Sequence, residues 1–139
     1  MTDLLSVADV REVAVPLHSR DDGDLSVLEK ANLPFAVARL FFVRAADAAM
    51  RGRHAHKVCN QFMMCVHGAI EVICDDGAAK RTITLDVMNK AVLVPASIWA
   101  TEIYRAPQSV LMVACDRVYE EDDYIRDYGA FLRYRGLNG

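Results

Sequence analysis

An excess of positive charge and any long hydrophobic run are both missing from this sequence of 139 residues. Its 16 lysines and arginines stand against 19 aspartates and glutamates, a formal net charge of -3. Phosphate binding usually shows as a basic excess, so this balance argues against nucleic acid as a partner. No apolar stretch approaches the roughly 18 to 20 residues that cross a membrane. The sequence therefore predicts no nucleic-acid partner and no membrane partner.

Paired cysteines of the C-x-x-C type are absent as well. The four cysteines are Cys59, Cys65, Cys74 and Cys115, and each lies among apolar neighbours. This setting predicts reduced thiols packed as small hydrophobic groups. The first residues also lack the basic flank and apolar stretch of a secretory signal. We therefore expect a cytoplasmic protein.

The hydrophobic pattern is one of short strands separated by turns. At 53% hydrophobic residues the chain can bury a sizeable core, and its length suits one domain over residues 1–139. Strand-like runs cover 10–15, 36–43, 61–77 with a turn at His67 and Gly68, 81–86, 91–105 and 109–119. Only residues 120–134 place acids before apolar residues at helical spacing, which predicts a C-terminal helix. The sequence therefore predicts an all-β sandwich or small barrel with a short C-terminal helix.

The stretch RGRHAHK, residues 51–57, carries the strongest chemical signal. In a strand, residues i and i+2 point to the same face about 6 to 7 Å apart, so His54 and His56 face one way. Such a pair can chelate a cation, exchange protons with a substrate, or simply decorate a turn. Imidazole titrates near pH 6.5, which suits reversible proton transfer at neutral pH. Neighbouring arginines can stabilise an oxyanion as it develops.

The spacing around these histidines resembles that of the cupin superfamily, which implies an antiparallel jelly-roll β-barrel. The first cupin motif continues from H-x-H to a glutamate and then a glycine, and here Gln61 and Gly68 hold those positions. The second motif, Pro-x-Gly-x-x-His, is PASIWA, with Ser97 and Ala100 in place of glycine and histidine. An amide and a methyl group thus replace two of the four usual metal ligands. We therefore expect no metal, although Glu71 or Glu102 could approach the histidines from elsewhere.

A closer resemblance is to the sugar 3,4-ketoisomerases of the WxcM-like, FdtA type, and it spans about residues 25–131. The matching pieces are LPFAVARLFFV, RGRHAHK, DDGAAKRTITLD, VPASIW and VYEEDDYIRDY, in that order. The resemblance implies a metal-independent isomerase without a cofactor, acting on dTDP-4-keto-6-deoxyglucose. A proton leaves C3, an enediolate forms, and a proton returns at C4 to give a 3-keto sugar. Such a product would feed the biosynthesis of 3-amino-3,6-dideoxy sugars.

The resemblance also implies roles for individual residues. His54 is the expected base at C3, and His56 the group that moves a proton to or from the sugar oxygens or C4. Trp99 is expected either to stack on the substrate or to pack in the core. The residues expected to bind substrate are Arg39, Phe41, Arg51, Lys57, Gln61, Trp99 and Glu102. A homodimer that exchanges its N-terminal strand is expected too.

Several positions depart from the family pattern. Asp22 stands where an arginine is expected, Phe41 and Phe42 replace tyrosines, and Ala100 replaces a histidine. Each change removes a polar group that could orient sugar or phosphate. Two other functions therefore stay open: a sugar-nucleotide-binding protein without catalysis, and a metal-dependent cupin enzyme.

Overall fold

A computed structural model describes residues 4–139 and is built almost entirely of short antiparallel strands. The strands are β1 (Arg11–Ala14), β2 (Leu17–Arg20), β3 (Gly23–Ser26), β4 (Arg39–Ala45), β5 (Met50–His56), β6 (Gln61–His67), β7 (Ile70–Asp75), β8 (Lys80–Leu85), β9 (Lys90–Val94), β10 (Trp99–Tyr104), β11 (Ser109–Cys115) and β12 (Tyr124–Ile125). Helix α1 (Tyr128–Tyr134) follows, and 3-10 turns form at Val7–Asp9 and Glu121–Asp123. The all-β prediction is confirmed.

Two five-stranded sheets face each other. One has the order β1-β9-β6-β11-β4 and the other the order β12-β5-β10-β7-β8, with strands that are distant in sequence as neighbours. All pairings are antiparallel. The core lies between the sheets, where Met63 and Leu111 of the first pack with Val72 and Tyr104 of the second. This is the arrangement of a jelly-roll barrel.

The first sheet is also covered on its outer face. Phe62 and Met112 point outward there and pack against Leu28, Leu33 and Phe35 of the segment between β3 and β4. Burial on both faces explains why β6 and β11 read as continuous apolar runs instead of alternating.

Strands β2 and β3 form a hairpin that pairs with neither main sheet. Almost all of its residues are exposed, and Leu25 keeps 60% of its surface accessible. A two-stranded hairpin of this kind is marginally stable alone in water. The hairpin therefore has two faces available for other contacts.

The helix predicted for residues 120–134 begins only at Tyr128, so the prediction was wrong for its first eight residues. Strand β12 forms instead, because pairing with β5 buries Ile125 against Trp99 and Phe131. Asp127 then caps the helix by accepting a hydrogen bond from the backbone N–H of Ala130 at 2.9 Å. Across residues 4–139, no helix has both the length and the apolarity needed to cross a membrane.

Candidate active site

Strand β5 places two imidazoles side by side on the inner face of the barrel mouth. Gly52 and Arg53 have positive φ angles of 76° and 59°, and they form an irregularity against β10. Beyond it the strand alternates regularly, so Ala55 turns outward into a separate apolar cluster while His54 and His56 turn inward. The two rings are perpendicular, with centroids 5.1 Å apart.

Tyr124 of β12 is the third ring of this group. It pairs in register with His56, and its ring centroid lies 4.9 Å from that of His54 and 4.3 Å from that of His56. Arg39 of β4 donates from Nη2 to the Tyr124 hydroxyl at 2.9 Å. The same guanidinium lies over the Phe41 ring, 5.0 Å from its centroid. A cation and a phenol therefore lie beside the two histidines, where they can donate to a developing oxyanion.

Asp123 fixes the orientation of His56. His56 Nδ1 donates to Asp123 Oδ2 at 2.8 Å, and the carboxylate also accepts from the backbone N–H groups of Val58 and Cys59. Burial acts to raise the pKa of Asp123, but these hydrogen bonds outweigh it, so the pKa lies below its ordinary value. The ionised carboxylate holds the proton on Nδ1 and leaves the lone pair of Nε2 free, as a proton acceptor requires.

Both histidines are held in the neutral form. Burial, followed by the nearby His56 and Arg126, lowers the pKa of His54 to about 4. Burial also lowers the pKa of His56, and the bond to Asp123 offsets only part of this effect. His54 Nδ1 and His56 Nε2 are buried without a hydrogen-bond partner among residues 4–139. The site thus presents two neutral imidazoles with free nitrogens, which is what proton transfer needs.

Gln61 lies at the start of β6 and is buried. Its Nε2 donates to Cys115 Sγ at 3.7 Å, and Arg39 donates to the same sulfur at 3.6 Å. In a metal-binding cupin, the position of Gln61 supplies a carboxylate and that of Ala100 an imidazole. Here an amide turned to a thiol and a methyl group stand at those positions, and neither fits a divalent metal held by the cupin ligands.

Arg51 and Lys57, expected to bind substrate, lie at the edges of the site and are exposed. Arg51 precedes the irregularity in β5 and pairs in register with Glu102. Lys57 lines an outer cleft of about 510 Å³ together with Tyr124 and Arg126. Both cations therefore remain available to a ligand that extends out of the barrel mouth.

Trp99 and Glu102 of β10 point to opposite faces of the sheet, Trp99 outward and Glu102 into the barrel. The Trp99 ring packs on the outer face, 5.2 Å from the Tyr128 ring and 5.5 Å from the Phe131 ring. The core-packing alternative therefore describes Trp99 better than stacking on a substrate. Glu102 is buried, its Oε2 has no partner within the described part of the chain, and burial raises its pKa to about 7.

Sequence reasoning did not select Asp123, Tyr124 or Cys115, although all three contact predicted site residues. The signal for the first two was present in the DYIR stretch, residues 123–126, which was assigned to the helix instead. Their role depends on pairing with β5 across 67 residues of sequence. Cys115 carried no signal beyond its apolar neighbours.

Comparison with known proteins yields a family and a curated relative. The family model described as FdtA, WxcM-like, C-terminal, matches residues 8–136. A TDP-4-oxo-6-deoxy-alpha-D-glucose-3,4-oxoisomerase from Aneurinibacillus thermoaerophilus is 33% identical over 111 residues, which cover 79% of this chain and 80% of the relative.

Solved structures share the whole architecture. A 3,4-ketoisomerase from Helicobacter canadensis superposes with a TM-score of 0.87 at 27% identity, covering 92% of this chain and 98% of its own. QdtA, a sugar 3,4-ketoisomerase from Thermoanaerobacterium thermosaccharolyticum in complex with TDP, also reaches 0.87, at 23% identity and with coverage of 92% and 95%. At that lower identity the second structure supports the fold alone.

Proposed function

The chain belongs to the FdtA family of WxcM-like proteins, and from that premise we propose that it works as a 3,4-ketoisomerase on a TDP-linked 4-keto-6-deoxy sugar. The substrate is that of its 33% identical relative, a TDP-4-oxo-6-deoxyglucose isomerase. The single observation that carries the proposal is the pair of neutral, inward-facing imidazoles at 5.1 Å, one of them oriented by a carboxylate. Residues 1–139 are proposed to act as one catalytic unit.

His54 takes the proton from C3 of the 4-keto sugar in this proposal. The carbonyl at C4 makes that proton acidic, and the electron pair moves to O4 to give an enediolate. A base must be neutral to accept the proton, and the lowered pKa of His54 keeps it so at neutral pH. Arg39 and the Tyr124 hydroxyl are donors beside the rings, and they stabilise the negative charge on the enediolate oxygen.

His56 completes the transfer. His56 takes the proton of the hydroxyl at C3 and returns it to O4, and a further proton is delivered to C4, so C3 becomes the ketone and C4 the alcohol carbon. One carbon is oxidised as its neighbour is reduced, so the step needs no nicotinamide and no external electron acceptor. His56 Nε2 is the atom that accepts and returns these protons, since Asp123 occupies Nδ1.

The nucleotide end is proposed to meet the cations around the mouth. Arg39 lies inside, whereas Arg51 and Lys57 lie outside, and a diphosphate is the kind of anion that such side chains bind. Gln61, whose amide is held by Cys115, is proposed to donate to the sugar. Phe41 offers a ring face without the hydroxyl of the family's tyrosine. Trp99 packs on the outer face and is left out of this binding set, whereas the inward-facing Glu102 stays in it.

A homodimer with exchanged N-terminal strands is the proposed assembly. The hairpin β2–β3 leaves both faces exposed in one copy, and pairing with a partner would cover them. Strand β4 forms one edge of its sheet and exposes Leu40 and Phe42, at 52% and 60%. Exposed apolar side chains on an edge strand favour a second chain there. A cytoplasmic location is also proposed, because all four cysteines are free and buried.

Proton NMR in D2O tests the function. Protein stripped of metal with a chelator is mixed with TDP-4-keto-6-deoxyglucose, with His54→Asn as the inactive variant and the exposed His67→Asn as its control. We expect a 3-keto product with deuterium at C4 from the wild type and from His67→Asn. His54→Asn should be slower by roughly 10²- to 10⁴-fold, the usual contribution of one acid–base group.

Two outcomes would contradict this proposal. Binding of the nucleotide sugar without exchange of any sugar proton would identify a binding protein. Activity that disappears on chelation and returns with one divalent metal would identify a metal-dependent enzyme.

A further inference from the structure

A cluster of metal-ligating side chains includes His56 and Asp123, whose Oδ2 contacts His56 Nδ1 at 2.8 Å. His56, Cys59 and Asp123 each offer one ligand atom, and these three atoms lie within 4.8 Å of one another. The thiol of Cys115 lies beside that of Cys59. The four residues come from the end of β5, the loop after it, the end of β11 and the 3-10 turn before β12.

The donor set is one that zinc prefers. Imidazole nitrogen, thiolate sulfur and carboxylate oxygen bind zinc at about 2.0 to 2.3 Å in a tetrahedron, whereas calcium and magnesium take oxygen ligands. Around such an ion the ligand atoms lie about 3.5 Å apart, so shifts of about an ångström would bring His56, Cys59 and Asp123 to bonding distance, and Cys115, beside Cys59, would be the fourth ligand. Cys59 and Cys115 are buried, whereas Val58, the residue before Cys59, is exposed.

The surroundings of the cluster also suit a bound ion. Two thiolates and a carboxylate carry three negative charges, so together with one Zn²⁺ they leave a net charge of −1. Arg39 lies at 3.6 Å from Cys115 Sγ and Gln61 at 3.7 Å, so a cation and an amide donor already point at one of the sulfurs. Donors of this kind orient metal-bound ligands and stabilise them.

We propose that His56, Cys59, Cys115 and Asp123 form a zinc site, and that occupation of this site inhibits the isomerase. Zinc would replace the proton on His56 Nδ1, and the ring proton would then sit on Nε2. The two thiol protons would leave to solvent. Nε2 would change from an acceptor to a donor, so His56 could no longer take a proton from the sugar. The inhibitory part of this inference rests on the proposed function, whereas the metal site does not.

Cobalt titration tests the site directly. Reduced, metal-free protein is titrated with Co²⁺, and a thiolate-to-cobalt charge-transfer band in the near ultraviolet reports sulfur ligation. We expect saturation at one cobalt per chain, displacement by Zn²⁺, and binding at least about tenfold weaker in Cys59→Ala. Cys65→Ala removes a buried thiol elsewhere in the core and should bind cobalt like the wild type. If Cys59→Ala does not fold, Cys59→Ser takes its place, since its hydroxyl replaces the thiol at nearly the same size and gives no thiolate-to-cobalt band.

Activity measured beside the titration separates the two proposals. Wild type and Cys65→Ala should lose turnover as one zinc binds, and Cys59→Ala should keep it at the same zinc concentration. Absence of the cobalt band, or a band unchanged in Cys59→Ala, would overturn the site. A normal band with undiminished turnover would overturn the inhibition. If the metal-free protein has no turnover but gives a normal cobalt band, the proposed function is refuted and the metal site is not.

Discussion

Strands β5 and β10 are neighbours in one sheet, yet they bring different chemistry to the barrel. Strand β5 turns two imidazoles inward, and His56 is held by Asp123 from the turn before β12. Strand β10 turns inward Ala100, which has no polar group, and Glu102, whose Oε2 has no partner within residues 4–139. The difference lies in support from another segment, since Asp123 orients His56 whereas no group among residues 4–139 bonds to Glu102 Oε2.

The largest effect on turnover is expected when the Asp123 carboxylate that orients His56 is removed. In Asp123→Asn the amide can donate to His56 Nδ1, which would move the ring proton to Nε2 and block the acceptor. Turnover should fall by at least about 100-fold, as when the carboxylate that orients a catalytic histidine is lost. Asp122→Asn, at the exposed neighbouring position, is the control and should stay near wild-type turnover. Turnover of Asp123→Asn within a few-fold of wild type would mean that the carboxylate does not set the tautomer.

The lone carboxyl of β10 should lower stability at high pH. Burial raises the pKa of Glu102 to about 7, above its value near 4.5 in the unfolded chain. The unfolded chain therefore releases this proton first, and the free energy of unfolding falls as pH rises from about 4.5 to 7. Relative to wild type, the free energy of unfolding of Glu102→Gln should be higher by roughly 2 to 3 kcal/mol more at pH 8 than at pH 5, as measured by denaturant unfolding. An equal gain at both pH values would argue against a buried neutral carboxyl.

His54 of β5 should make stability depend on pH in the opposite direction. Burial lowers the pKa of His54 to about 4 in the folded chain, below its value near 6.5 in the unfolded chain. The unfolded chain binds this proton first, so stability falls as pH drops from about 6.5 to 4. Between pH 7 and pH 5 the wild type should lose roughly 2 kcal/mol that His54→Asn does not lose. Denaturant unfolding of both proteins at the two pH values measures this, and parallel losses would contradict it.

The smallest effect is expected on stability, at the contact between Gly52 of β5 and Glu102 of β10. A Cβ built on Gly52, at φ 76°, would clash with Glu102 Oε2, whereas one on Gly136, at φ 79°, would meet nothing within 4 Å. Both Gly→Ala variants bear the cost of a positive φ, about 1 kcal/mol. Gly52→Ala should lose about 1 kcal/mol more than Gly136→Ala, because the Glu102 side chain must move. Equal losses would show that Glu102 does not limit this position.

Much of the strand pattern could be predicted from sequence, because alternation and apolar runs are local. The pairing of His54 and His56 followed from their spacing in one strand. Tyr124 and Asp123 could not be placed, since their conformation depends on a strand 67 residues away and not on their own helical spacing. The position of Trp99 could not be predicted from sequence either. Its outward position follows from packing against helix α1, which no local pattern reveals.

The central claim is that His54 and His56, which are supported differently, carry out different proton transfers. The most direct test is to locate deuterium in the sugar after reaction with His54→Asn and with His56→Asn. Each variant is incubated in D2O with TDP-4-keto-6-deoxyglucose, and proton NMR follows C3 and C4. We predict that His54→Asn leaves the proton at C3 in place, whereas His56→Asn exchanges it but forms little 3-keto product. Exchange at C3 by His54→Asn, with none by His56→Asn, would contradict this division and make the carboxylate-oriented His56 the base.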